Sequence, residues 1–132
     1  MLMSMGTGLN ILIVEDDQGT LSGWVELLRS AGYLVTGVSS YEEGRQELAM
    51  MPDLLITDVR LGVYNGLQLL MRGRMMNPRL QAIVITGYAD QIVRREAVYL
   101  QAEHLEKPVD ADRLLQVVSN ALRSPSGVAR IN

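Results

Sequence analysis

Five short apolar runs, each followed by a stretch able to form a helix, constrain the fold of this chain more than any other feature. Leu9 to Val14 is a dense Ile/Leu/Val run that ends abruptly in Glu15-Asp16-Asp17. Tyr33 to Val38 is more polar, as an edge strand would be. Leu54 to Thr57 and Ala82 to Thr86 follow, and His104-Leu105 with its neighbours makes a weak fifth. Apolar runs of this length suit strands buried on both faces of a parallel sheet. Between and after them the spacing predicts helices over 18–31, 41–50, 66–76, 90–101 and 111–123. In the last, Leu114, Leu115, Val118, Ala121 and Leu122 recur at helical spacing, with Asp110 as N-cap. Gly32 stops the first helix and Asn77-Pro78 closes the third. Five strand–helix repeats predict a single doubly wound α/β domain with right-handed crossovers.

The 132 residues suffice for one such domain. Its expected bounds are residues 9–123, after an N-terminal extension at 1–8 and before a linker or disordered tail at 124–132. Zero cysteines exclude a disulfide framework and any Cys-ligated metal centre. No apolar run approaches the roughly 18–20 residues of a membrane span, and the first eight residues do not read as a signal peptide. Net charge is −3 with no basic block, which argues against nucleic acid as a direct partner and against a membrane surface. A cytoplasmic location is expected. The eight methionines, several at 71–76 and 50–51, read as helix and core filler, and Trp24 as a packing residue of the first helix. Arg94, Arg95 and Glu96 read as a solvated helix face.

In open α/β sheets, functional groups collect outside the carboxyl ends of the strands. The first strand ends in Glu15 and Asp16, the third in Thr57-Asp58, the fourth in Thr86, and the fifth runs into Lys107-Pro108. If the sheet order brings those strands together, three carboxylates, a hydroxyl and an ammonium share one edge. Carboxylate oxygens with a backbone carbonyl make an oxygen-only shell that suits Mg²⁺, with Mn²⁺ as a substitute. A carboxylate is also a nucleophile able to form an aspartyl-phosphate. A lysine and a hydroxyl donor would then stabilise charge on the transferring phosphoryl group. Asp17, the third acid, reads as a helix-start residue.

These pieces resemble the receiver domain of two-component response regulators over about residues 9–123. The resemblance rests on ILIVEDD at 11–17, LLITDVRLGVYNGLQLL at 54–70, IVITGYAD at 83–90 and EKPVD at 106–110, in that order. It implies a flavodoxin-like five-stranded parallel sheet of order 2-1-3-4-5. It also implies a phosphorylation-activated signalling switch that takes its phosphoryl group from a sensor histidine kinase or phosphotransfer protein. Enzymatic activity would be limited to self-phosphorylation from a donor and autodephosphorylation. Asp58 would be the phosphoacceptor. Asp16 and Asp58 would bind Mg²⁺, Glu15 would act largely through water, and the backbone carbonyl of Arg60 would complete the shell. Thr86 would hydrogen-bond the phosphoryl group and Lys107 would pair with it. The Lys107–Pro108 peptide would be cis, and Gly66 would open the third helix. Arg60 and Tyr88 would flank the path of the hydrolytic water and slow dephosphorylation. A homodimer would use the fourth helix, fifth strand and fifth helix.

The chain departs from the family pattern in three places. Gly62 stands where proline is frequent, which should loosen the loop after Asp58. Leu100-Gln101-Ala102-Glu103 lacks a common Gly-Ala. His104 occupies the position of the Tyr or Phe that moves with the threonine, making it a candidate switch residue, although a lone strand histidine is more often a half-buried structural side chain. An alternative reading is a Mg²⁺-dependent phosphatase of the haloacid dehalogenase type, because Glu15-Asp16-Asp17-Gln18-Gly19-Thr20 approaches that family's Asp-x-Asp-Gly-Thr. Gln18 breaks the spacing, Glu is a poor replacement for the nucleophile, and no acidic pair sits on a further strand after Lys107 to hold the metal.

Overall fold

The computed structural model describes residues 8–87 and 91–123. Five strands form one parallel sheet: β1 (Asn10–Val14), β2 (Leu34–Val38), β3 (Leu54–Asp58), β6 (Gln81–Thr86) and β7 (Glu103–Glu106). Two further strands, β4 (Arg60–Leu61) and β5 (Tyr64–Asn65), make a small antiparallel hairpin directly after β3. The helices are α1 (Gln18–Ser30), α2 (Tyr41–Glu47), α3 (Gly66–Met76), α4 (Gln91–Tyr99) and α5 (Ala111–Arg123). Sheet order is β2-β1-β3-β6-β7, which is 2-1-3-4-5 when the hairpin is not counted. The two weaker apolar runs, β2 and β7, are the edges, where one flank of a strand lacks a neighbour to bury it.

Strand alternation divides the core into two layers. Ile11, Ile13, Leu54, Ile56, Ile83 and Ile85 point toward α1 and α5. Leu12, Val14, Leu55, Ala82 and Val84 point toward α2 and α3, with Val93 of α4 in the same layer. Both layers are apolar along the three central strands, which explains why those strands show no polar alternation in the sequence.

Helix boundaries follow local chemistry. Asp17 caps α1 by accepting the Thr20 N–H at 2.9 Å, and Asp110 accepts the Arg113 N–H at 3.1 Å at the start of α5. Past the end of α1, Gly32 takes φ +98°, and Asn77 ends α3. The helix predicted over 41–50 is α-helical only to Glu47 and finishes as a 3₁₀ turn, Leu48–Met50, before Met51 at φ +55° and Pro52. The helix predicted to Gln101 ends at Tyr99, because Gln101 is left-handed at φ +56°. The methionine reading needs correction. Met50, Met51, Met71, Met75 and Met76 are all exposed. The buried side of α3 is filled by Leu67, Leu69, Leu70 and Gly73, which leaves its methionines outside.

Candidate functional site

At the carboxyl edge of the sheet, Glu15 follows β1 directly, and its N–H donates to Val38 O at 3.1 Å. Its side chain is fully buried. Oε2 accepts the Asp17 N–H at 2.9 Å, and Oε1 lies 2.9 Å from Lys107 Nζ without hydrogen-bond alignment. Asp58, the last residue of β3, is 6% exposed, so its carboxylate lies at the rim rather than in the core. Its Oδ1 accepts the Arg60 N–H at 3.1 Å and its Oδ2 accepts Lys107 Nζ at 2.8 Å. One ammonium therefore serves two carboxylates. Asp16 is exposed, and one ligand atom from each of Glu15, Asp16 and Asp58 lies within 4.8 Å of the others. Two unit charges at that spacing repel by roughly 3 kcal/mol at an effective dielectric of about 20, before relaxation.

Titration follows from these surroundings. Burial pushes the Glu15 carboxyl above its ordinary 4.5, against the opposing bonds from Lys107 and Asp17, and the Asp58 charge adds to the rise. Burial lowers Lys107, yet its hydrogen bond to Asp58 and its close ion pair with Glu15 outweigh that, and it is raised above 10.5. The donor set fits a hard divalent cation: oxygen only, two of three carboxylates buried, and one buried oxygen with no hydrogen bond. Glu15, Asp16 and Asp58 are the residues that would hold it.

The backbone around Asp58 is tightly specified. A Cβ on Gly66 would lie 2.1 Å from Asp58 O and 2.7 Å from Thr57 Oγ1, so only glycine permits α3 to start there. Thr57 Oγ1 donates to the same Asp58 carbonyl at 2.9 Å, a contact that the sequence did not signal. Asn65 caps α3 by accepting the Leu67 N–H at 2.7 Å, which the Asn-Gly pair could have indicated. Gly62 has a conformational role in this loop. At φ +64° it is the first of two residues closing the β4–β5 hairpin, a conformation closed to proline and favoured at that turn position by glycine.

Thr86 ends β6, buried, with its carbonyl accepting the Lys107 N–H at 2.8 Å. The Lys107–Pro108 peptide is cis. His104 sits half-buried on β7 opposite Val84. Arg94 pairs with Glu106 at 3.0 Å. Asp17 and Thr20, which suggested the phosphatase motif, are bonded to each other as a helix cap, Thr20 Oγ1 donating to Asp17 Oδ2 at 2.7 Å. Tyr88, residues 1–7 and the tail at 124–132 lie outside the described residues.

A parallel sheet of this order with three acids and a lysine at one strand edge defines a doubly wound α/β domain with an acidic site at the carboxyl ends of its strands. The chain belongs to the response regulator receiver domain family, whose model matches residues 11–119. It is similar to the transcriptional regulatory protein FixJ of Bradyrhizobium diazoefficiens, 30% identical over 131 residues, 96% of this chain and 62% of that one. ZraR of Escherichia coli strain K12 is 32% identical over 119 residues, 86% of this chain and 26% of its own. The chain thus spans less than two-thirds of the length of these relatives. Among solved structures, a CheY-like receiver domain protein from Methanospirillum hungatei JF-1 superposes with TM-score 0.81 at 27% identity, covering 87% of this chain and 94% of that one. A receiver protein from Sinorhizobium medicae WSM419 gives 0.81 at 28%, covering 88% and 95%. No described helix is long and apolar enough to cross a membrane.

Proposed function

We propose that this chain is a phosphorylation-controlled switch whose acceptor is Asp58, charged by a sensor histidine kinase or phosphotransfer protein. The observation that carries the reading is the shared lysine: Lys107 Nζ lies 2.8 Å from Asp58 Oδ2 and 2.9 Å from Glu15 Oε1. An Asp58 oxygen attacks phosphorus, the new O–P bond replaces the donor's bond to phosphorus, and the leaving group keeps that electron pair. Lys107 then pairs with the phosphoryl oxygens. Thr86 donates its hydroxyl to the same group, and the Arg60 N–H already holds the neighbouring Asp58 oxygen. Mg²⁺ or Mn²⁺, held by Glu15, Asp16, Asp58 and the Arg60 carbonyl, would offset charge on the transferring group.

The switch runs from Thr86 to His104 on the adjacent strand, with β6 and β7 in register at Val84 and His104. A homodimer through α4, β7 and α5 belongs to this reading, supported by Ile92, Val98 and Tyr99, which leave apolar surface on α4. Intact-mass analysis after incubation with Mg²⁺ and acetyl phosphate tests the acceptor. One acid-stable, base-labile phosphoryl group should appear on the parent and none on Asp58→Asn. Equal labelling of both would overturn the assignment.

A further inference from the structure

Seven of the eleven large hydrophobic side chains exposed among the described residues lie on the turn after α2, the β4–β5 hairpin and α3, and three of them, Tyr64, Met71 and Met75, share one surface. None is needed by the core, since α3 already buries Leu67, Leu69, Leu70 and Gly73. Val63 is 93% exposed, Met75 85% and Met50 75%. Between α2 and α3 this surface forms an open groove of about 690 Å³. Tyr41 and Tyr64 close part of it, stacked with ring centroids 4.6 Å apart, and Met71 and Met75 line α3 one turn apart. Methionine adapts its shape to an apolar partner more readily than branched residues do, and a groove between two helices accepts a third.

We propose that this groove docks an amphipathic helix of a partner protein whose apolar stripe is flanked by acidic residues. Charge selects that occupant. The groove is lined by Arg45, Arg72 and Glu42, and Glu42 is already engaged, accepting Arg45 Nε at 3.2 Å. From Gly66 to Met76, α3 carries Arg72 and Arg74 and no acid, in a chain whose net charge is −3. Arg74 is taken up by backbone carbonyls and Arg45 by Glu42, so Arg72 is the positive charge left facing outward in the groove beside the methionines. A second copy related by a two-fold axis would set this basic rim against itself, which opposes self-docking. An acidic flank matches it.

Methionine-methyl and amide NMR of the 132-residue chain tests the proposal with two synthetic helical peptides of roughly five turns. Both carry the same Leu/Met stripe, one flanked by Glu and the other by Lys. The Glu peptide should shift the Met71 and Met75 methyls and the Tyr64 amide, and should weaken with added salt. It should bind about tenfold tighter than the Lys peptide, and Arg72→Glu should remove most of that difference. Met75→Asp should abolish binding, while Ile92→Asp on α4 should leave it unchanged. Equal binding of both peptides, no shift at Met71 and Met75, or shifts confined to α4 would each overturn it. So would the same methyl shifts appearing on raising protein concentration without peptide, which would make a second copy the occupant.

Discussion

On one face of the sheet, Leu21, Trp24 and Leu28 of α1 and Leu114, Val117, Val118 and Ala121 of α5 close over the central isoleucines. Neither helix leaves a large apolar side chain exposed. On the other face, α3 buries five leucine and glycine positions and still exposes Met71, Met75 and Met76, and α4 adds Ile92, Val98 and Tyr99. Interior packing alone does not explain that asymmetry, because the inner layers on both faces are built of buried apolar residues. The helices of one face leave no large apolar side chain exposed, and those of the other leave six. The carboxylate site sits where they meet: Glu15 and Lys107 lead into α1 and α5, while Asp58 is hydrogen-bonded to the first residue of the hairpin that leads to α3.

The sharpest way to break this contrast is a pair of truncations. Leu28→Ala removes a side chain with no exposure from the face of α1 and α5 and should cost about 2–5 kcal/mol. Met75→Ala, on the face of α3 and α4, should stay within about 0.5 kcal/mol. Urea denaturation of both measures the difference, and comparable losses would mean that the exposed methionines do stabilise the fold. A second substitution targets the seam. Gly66→Ala forces a methyl against backbone, Asp58 O at 2.1 Å, and should cost about 3 kcal/mol together with loss of phosphoryl uptake. At Gly73 the nearest atom to an added Cβ is Leu80 Cδ2 at 2.5 Å, the end of a flexible side chain, so Gly73→Ala should cost less.

Arg74 ties the face of α3 and α4 together. Its Nε donates to Leu80 O at 2.9 Å and its Nη2 to Gln101 O at 3.3 Å, and Nη1 reaches Leu100 O. These bonds hold Gln101, a non-glycine residue, in the left-handed region at φ +56°. Arg74→Ala should destabilise by about 2 kcal/mol, with faster hydrogen exchange at the Gln101 and Ala102 amides. Unchanged exchange there would assign the turn's conformation to α4 alone.

The strands, the helices and the residues of the site were legible because their signals are local. Each of Glu15, Asp58, Thr86 and Lys107 stands at or just past a strand end, and parallel strands put all their carboxyl ends on one edge. The β4–β5 hairpin was not legible, because two-residue strands carry no periodicity. The face of α3 was misread for a related reason. Leu67, Leu69, Leu70, Met71, Met75 and Met76 surround α3 with apolar residues, so the exposed Gln68 and Arg72 are too few to mark its outer side clearly. The Arg74 bonds to Leu100 and Gln101 span 26 and 27 residues, beyond any local pattern.

At the site itself the expected effects are smaller and depend on metal. Three carboxylates cluster where Lys107 pairs with only two of them, Glu15 and Asp58, so removing one charge relieves repulsion while an asparagine oxygen can still accept from Nζ. In chelator, Asp58→Asn should be more stable than the parent by about 1 kcal/mol. Mg²⁺ should stabilise the parent by RT ln(1 + [Mg²⁺]/Kd) and the variant much less. Melts in Mg²⁺ and in chelator check both halves. A destabilised variant with no metal shift in the parent would mean that these acids do not form one site.

The smallest effect is the most specific to Glu15. Its folded-state pKa is raised above 4.5, chiefly by burial, so above that raised value the buried charge is a constant penalty. As pH falls through the raised value toward 4.5, the folded state binds the proton that the unfolded state still lacks, and stability rises. Lys107, raised above 10.5, stays charged throughout and adds no slope. Its own contribution is complete below 10.5 and is lost only as pH climbs through its folded value. Asp17 acts in the opposite direction and elsewhere. Thr20 holds its pKa below 3.8, so the stability it lends is lost only as pH falls through that lower range. In chelator, the parent should therefore gain stability against urea from neutral pH down to just above 4.5, and Glu15→Gln should lack that gain. Both proteins should weaken alike below 3.8. Identical slopes above 4.5 would show that Glu15 is not the group taking up the proton, and that its burial is offset in full by Lys107.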